Sequence, residues 1–328
     1  MSRDCNSFTC APILIIGFNR PEFVRDQIEA ISAAKPSQIF IAIDGPRPDH
    51  PGEDIKCKET AEQIKRITWP CEISTRIRNE NLGCKYGPPD AISWFFSQVT
   101  AGIILEDDCR PTIDFLRFAS ELLIRYKDDE RVGMISGNNH YGFMSNPQDS
   151  YRFSMNISIW GWASWSRAWK YHDVEPEHFR SNANQIFDTT SLTRRGKRLA
   201  SAFFNQVLSA NSTWDTQWAL TLLKKEMFSI TPARNLVANM GFQPESTHTG
   251  GYNFDTVHFI NTQKLHFPLI HPQHITRDIQ SDRRHELRSF AFLPRALTAL
   301  GLRFPACSRP ITHLAHTIEK RLPALFRL

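Results

Sequence analysis

The sequence predicts an α/β protein: a mostly parallel central sheet flanked by helices, followed by a helical C-terminal extension. Three observations carry this. Short unbroken apolar runs at residues 13–16, 39–43 and 103–105 have the composition of strands buried on both faces. Stretches with helical spacing lie between them, and strand–helix alternation implies βαβ units. The chain has 328 residues, 41% hydrophobic and 22% charged, which suits one large domain with an appendage and argues against long disorder.

In order, residues 1–10 read as a flexible polar lead-in and 11–17 as the first strand. That strand runs into Phe18-Asn19-Arg20-Pro21, where proline suits a helix start, and Phe23, Ile28 and Ile31 then give helical spacing across 23–34. A second strand at 39–43 stops at the turn Asp44-Gly45-Pro46. A helix at 60–67, a polar strand at 72–78, a helix at 88–100 and a buried strand at 101–105 follow. Residues 111–130 present Phe115, Phe118, Leu122, Leu123 and Tyr126 as a helical stripe, and 132–136 a further strand. Residues 137–180 are turn-rich and aromatic; helices are expected at 189–210 and 214–226, with a short strand at 228–230. One domain therefore spans 11–268, and 269–328 forms a basic, mostly helical extension interrupted by Pro305 and Pro310.

The net charge of +5 is too mild to imply nucleic acid. Seven scattered cysteines without CxxC spacing suggest reduced thiols and a cytoplasmic protein. The first ten residues lack the apolar core of a signal peptide, and no apolar run approaches the roughly 20 residues of a spanning helix. The tail, with Arg283, Arg284, Arg288, Arg295, Arg303, Arg309 and Arg321 beside Phe and Leu, could rest peripherally on the anionic inner face of a membrane. Packing against its own domain is the ordinary alternative.

Glu106-Asp107-Asp108, directly after a buried strand, is the most informative segment. Three acids there repel one another and lose solvation unless a cation sits among them or they form a fully exposed turn. Mn²⁺ or Mg²⁺ is matched by one or two carboxylates plus phosphate oxygens and water. Asp215, between Trp214 and Trp218, suits a general base on a helix N-terminus, or is merely a first-turn acid. In Trp160-Gly161-Trp162, glycine lets backbone approach a ligand beside rings that stack on sugars; the alternative is a core cluster.

Together these segments resemble glycosyltransferases of the GT-A fold, especially the group containing N-acetylglucosaminyltransferase I and bacterial family-2-like sugar transferases. Glu106-Asp107-Asp108 is similar to their acidic metal motif, with Glu departing from Asp at its first position. Ile15-Ile16-Gly17-Phe18-Asn19-Arg20 resembles the first strand and loop, Ile41-Ala42-Ile43-Asp44-Gly45 the second strand, and Asn79-Glu80-Asn81-Leu82-Gly83-Cys84-Lys85 the segment before the metal-strand helix. Trp214-Asp215-Thr216-Gln217-Trp218 looks like the segment carrying the base of inverting members. The resemblance spans roughly residues 11–250, in order.

It implies a nucleotide-sugar donor, such as a UDP-sugar, and a glycan, glycolipid or other hydroxyl acceptor. Asp108 would be the direct metal ligand, with Asp107 or Glu106 on the ribose or a metal-bound water; Asp107 is the second candidate ligand. Arg20 would face the diphosphate, Asp44 the base or ribose, Asn81 the nucleotide, and Lys85 a phosphate unless it lies on a solvated face. Trp160, Gly161 and Trp162 would form the donor-sugar and acceptor wall. His248 is a further metal or pyrophosphate contact or a loop histidine without a role. Two other readings stay open: a sugar nucleotidyltransferase, which wants a Gly-rich basic loop after the first strand, and a non-catalytic carbohydrate-binding protein. Neither a P-loop nor a GxGxxG follows a strand.

Overall fold

The computed structural model describes residues 8–175, 179, 197, 201, 204, 214–242 and 261–289. All of the expected helix at 189–210 except residues 197, 201 and 204, together with His248 and the tail beyond 289, lies outside these residues.

Eight strands form one sheet in the order β3-β2-β1-β4-β8-β6-β9-β7. They are β1 (Ile13–Gly17), β2 (Gln38–Ile43), β3 (Glu72–Ile77), β4 (Ala101–Glu106), β6 (Val132–Ser136), β7 (Tyr151–Ser154), β8 (Trp162–Trp165) and β9 (Phe228–Pro232). A small second sheet pairs β5 (Cys109–Pro111) with β10 (Val237–Asn239). The half β3-β2-β1-β4 is wholly parallel. Beyond it, β8 runs antiparallel to both β4 and β6, β9 is parallel to β6, and β7 is antiparallel to β9. The sheet is therefore mixed, with β7 and β8 running against the other six strands. The added antiparallel strands, β7 and β8, lie inside the turn-rich stretch 137–180. Each is only four residues long, too short to show a period against aromatic neighbours.

Apolar runs become buried strands here because helices cover both faces. Ile13 and Ile15 of β1 enter one core with helices α1 (Pro21–Ser32) and α4 (Ile113–Arg125), while Leu14 enters a second with α3 (Gly83–Phe96). α1 begins at Pro21 and buries Val24, Gln27, Ile28 and Ile31. α4 is capped by the Thr112 hydroxyl, which accepts from Phe115 N–H at 3.2 Å. α2 (Glu53–Glu62) starts earlier than expected and tightens into a 3-10 turn at Gln63–Arg66. The second core also holds the short α5 (Ser166–Trp169) and α6 (Asp215–Lys224).

The N-terminal part of the extension is fastened to the sheet. Asp282 of α7 (Ile279–Ser289) is fully buried against β7, accepting from Arg152 Nη1 at 2.6 Å, Met155 N–H at 2.9 Å and Arg277 Nε at 2.7 Å. A buried carboxylate with this many charge-assisted donors stays ionised, and its pKa lies below the usual range even though burial opposes this. Among the described residues no helix is long and apolar enough to cross a membrane.

The strand directions place the carboxyl ends of β1, β2, β3, β4, β6 and β9 on one edge of the sheet, where loops gather ligands in open α/β sheets.

Candidate functional site

A cavity of about 1200 Å³ opens along that edge. Gly17, Phe18, Asn19 and Arg20 at the end of β1, Asp44 after β2, Arg78 after β3 and Glu106-Asp107-Asp108 at the end of β4 all line it. Asn81 and Cys84 at the start of α3 close the side, and Met240 after β10 faces the acids. Four loops scattered over more than ninety residues thus meet because their strands are neighbours and parallel.

The acid turn is held from below. Gln27 of α1 is buried and its amide donates to the carbonyls of Glu106 at 2.7 Å and Cys109 at 2.9 Å. Gly241 packs so close to Asp108 that a Cβ there would meet Oδ2 at 2.6 Å. Asp107 pairs with Arg20 Nη1 at 3.4 Å, and Asp108 Oδ1 accepts from the Cys109 thiol at 3.5 Å.

Each acid is only partly exposed, and protein packing removes most bulk water. Desolvation therefore raises the Glu106 pKa well above its ordinary range, with the charges of Asp108, Asp215 and Asp107 adding to it. The same cause, with Asp108 next, pushes Asp107 up to about 7 despite Arg20. Asp108 is raised as well, chiefly by desolvation. Cys84 opens onto the cavity, and its thiol is pushed up to about 12 by desolvation and then by Glu106, Asp215 and Asp108. Negative charge has gathered here without matching positive charge.

Asp215 reaches this cluster through its charge, although it is not among the cavity's lining residues. It is the first residue of α6, half-buried, with Oδ1 accepting from Thr216 N–H at 2.9 Å. Trp214 and Trp218 on either side are fully buried.

Asp44 lies on the cavity wall, but its oxygens are occupied. Oδ1 accepts from Gly45 N–H at 2.9 Å and Leu82 N–H at 3.0 Å; Oδ2 accepts from Gly83 N–H and Asn81 Nδ2, both at 3.1 Å. Four donors fill a carboxylate's acceptor sites, so Asp44 clamps the start of α3. Asn81 completes the clamp by donating to the Gly45 carbonyl at 2.8 Å. Gly45 is required where it stands, since a Cβ would lie 2.4 Å from the Glu80 backbone.

Other expected site residues fall elsewhere. Lys85 does not line the cavity; it is buried and hydrogen-bonded to the Tyr86 hydroxyl at 2.8 Å, with Glu175 at 3.4 Å. It is neither a solvated face nor part of this cavity. Trp162 is completely buried against Trp214, Trp218 and Trp169, so its ring belongs to the core rather than to a ligand wall. Trp160 is half-buried and packs on His140, ring centroids 4.9 Å apart, and Gly161 between the two tryptophans has φ +73°.

The structure adds residues that the sequence did not single out. Arg47, Arg76, Arg78 and Asp90 line the cavity over β2 and β3. Glu53 accepts from Arg47 Nη2 at 2.6 Å and from Asn19 Nδ2 at 2.8 Å, fixing the loop beside Phe18. The signal for Arg76 and Arg78 was their two-residue spacing at the end of a strand that alternates with Ile73, Thr75 and Ile77. Among the described residues, no group of three or more His, Cys, Asp or Glu is arranged to hold a metal ion.

No protein-family model matches the chain, and no curated protein matches it. Among solved structures, the crystal structure of HddC from Yersinia pseudotuberculosis is similar at 11% identity over 50% of this chain and 81% of that one, with a TM-score of 0.31.

Proposed function

We infer that this chain is a metal-dependent, inverting glycosyltransferase of GT-A type, moving a sugar from a nucleoside-diphosphate sugar to an acceptor hydroxyl. The observation that carries the reading is the meeting, in one cavity at the sheet's carboxyl edge, of an acid triplet only partly offset by Arg20 with the Asp44–Asn81 clamp. The wholly parallel half of the sheet, ending in that triplet on β4, supports the GT-A assignment.

The donor set fits a hard cation. Asp108 and Asp107 offer carboxylate oxygens only; lost solvation raises both pKa values, the charge of Asp108 adds to the rise at Asp107, and a cation relieves both effects. One or two carboxylates suffice when phosphate oxygens and water complete the shell of Mn²⁺ or Mg²⁺, so a three-residue protein cluster is not needed. Bound there, the ion would offset charge developing on the leaving diphosphate.

The chain's own residues do the rest. Arg20 sets a guanidinium beside Asp107, where phosphate oxygens would find a fork of donors. Asp44 acts through the loop it holds, presenting Asn81 and the start of α3 to the nucleotide. Asp215 takes the proton of the attacking hydroxyl: Thr216 N–H holds Oδ1 and fixes the carboxylate's rotation, leaving Oδ2 for the acceptor. The acceptor is a glycan, a glycolipid or another hydroxyl compound.

A panel of nucleotide sugars incubated with Mn²⁺ tests this through release of free nucleoside diphosphate. At least one donor should turn over, and Asp215→Asn should slow it by about 10²–10⁴-fold while donor binding stays near the wild-type value. Tight donor binding without turnover in either protein would favour a carbohydrate-binding role; binding of no donor would contradict both.

A further inference from the structure

The cavity has two ends of opposite charge. The acid triplet occupies the end over β4. Over β2 and β3 the wall carries Arg47, Lys56, Arg76 and Arg78. Glu53 neutralises Arg47, but Arg76 and Arg78 share one acid, Asp90 of α3. Asp90 Oδ1 accepts from Arg76 Nη2 at 3.2 Å and Oδ2 accepts from Arg78 Nη2. One carboxylate against two guanidiniums leaves a unit of positive charge. Each guanidinium has five N–H donors, of which Asp90 engages one apiece.

These forks are held in place. The Arg76 guanidinium lies over the Trp94 ring, 5.9 Å from its centroid, and Arg78 N–H donates to the Ile43 carbonyl at 3.0 Å, which extends the β2–β3 ladder past the strand end. All three charged side chains are about two-thirds covered, so solvent competes only in part. Both carboxylates on this part of the wall are already engaged: Asp44 accepts from Gly45, Asn81, Leu82 and Gly83, and each oxygen of Asp90 accepts from a guanidinium. This end therefore offers donors and almost no acceptors.

We propose that Arg78 and Arg76, oriented by Asp90, read the nucleobase of the donor and select one whose edge presents carbonyl acceptors. Such bases are uracil, thymine and guanine, which carry a carbonyl at C4 or C6; cytosine and adenine instead place an exocyclic amino donor there, where a guanidinium donor would sit. The assignment rests on the nucleotide-sugar reading above and adds the base to it. A partly covered fork matched to two acceptors disfavours a base that cannot supply them, because its donors are then left unpaired. Arginine bidentate to guanine O6 and N7 shows the geometry at work in nucleic acids.

Titration calorimetry of the full chain with UDP, GDP and ADP in Mn²⁺ tests the proposal. UDP or GDP should bind about tenfold or more tightly than ADP, the discrimination a good bidentate contact gives. Arg78→Gln should bring the three nucleotides to within about threefold of one another, and Asp90→Asn should reduce the discrimination in part. Melting curves matching wild type establish that both variants fold; if Arg78→Gln does not fold, Arg78→Lys, which keeps the charge and loses the fork, carries the same expectation. Discrimination that survives in the folded variants, or ADP binding tightest, overturns the base assignment alone. If no nucleotide binds the wild type, the donor reading itself falls.

Discussion

Asp44 illustrates what a residue's number of partners says about its role. Read from sequence it ends a strand at a turn and could face a ligand; in the structure its oxygens hold the chain at Asn81, Leu82 and Gly83. Asp44→Ala frees those donors, at a cost of about 1–3 kcal/mol for charge-assisted bonds, and unfastens the start of α3. Urea unfolding should show that loss, with weakened nucleotide binding alongside; unchanged stability would mean the clamp is dispensable. The acid triplet was legible because three carboxylates after a buried strand have few cheap explanations. Gln27, which pins that triplet, was not, since a glutamine in an amphipathic helix carries no sign of the two carbonyls it will meet. Trp162 misled for a related reason: glycine between tryptophans looks the same whether the rings line a cleft or fill a core, and its burial among three other tryptophans decides for the core.

At the level of elements, β1, β2 and β4 were readable because burial on both faces demands unbroken apolar runs. Boundaries set by side-chain contacts were not. α3 begins at Gly83, with Pro88 and Pro89 inside it, because the Asp44 carboxylate receives the free N–H groups of its first turn; without that partner the prolines mark a helix start. α2 begins at Glu53, whose carboxylate ties the helix to the loops carrying Arg47 and Asn19. Arg47, through its hydrogen bonds, is the largest cause holding the Glu53 carboxyl down to about 2 from 4.5, against burial, and Asn19 assists. A folded-state pKa below the unfolded one stabilises the fold above about pH 4.5, and that stability is lost as pH falls towards about 2. Glu53→Gln should therefore be less stable than wild type at pH 7, by about 1.5–3 kcal/mol for a lost charged hydrogen bond, and the gap should close between about pH 5 and 2. Denaturant titrations at several pH values measure it; a gap independent of pH would contradict the assignment.

Over the whole molecule, strand–helix alternation announced an α/β sheet but not its second half, where β8 inserts antiparallel between β4 and β6. Nothing local in Trp162–Trp165 specifies that insertion; it depends on pairing with β4 and β6, both distant in sequence. The same sheet gives the cavity its polarity, acid over β4 and basic over β3, and the claim at the centre of this account is that the acid end grips a cation which in turn grips a diphosphate. Thermal unfolding with and without Mn²⁺, with and without UDP or GDP, in wild type and Asp108→Ala, tests it most directly. The account predicts that nucleotide stabilises the wild type only when Mn²⁺ is present and that Asp108→Ala abolishes the effect. Equal stabilisation by nucleotide without metal, or undiminished in Asp108→Ala, would contradict it.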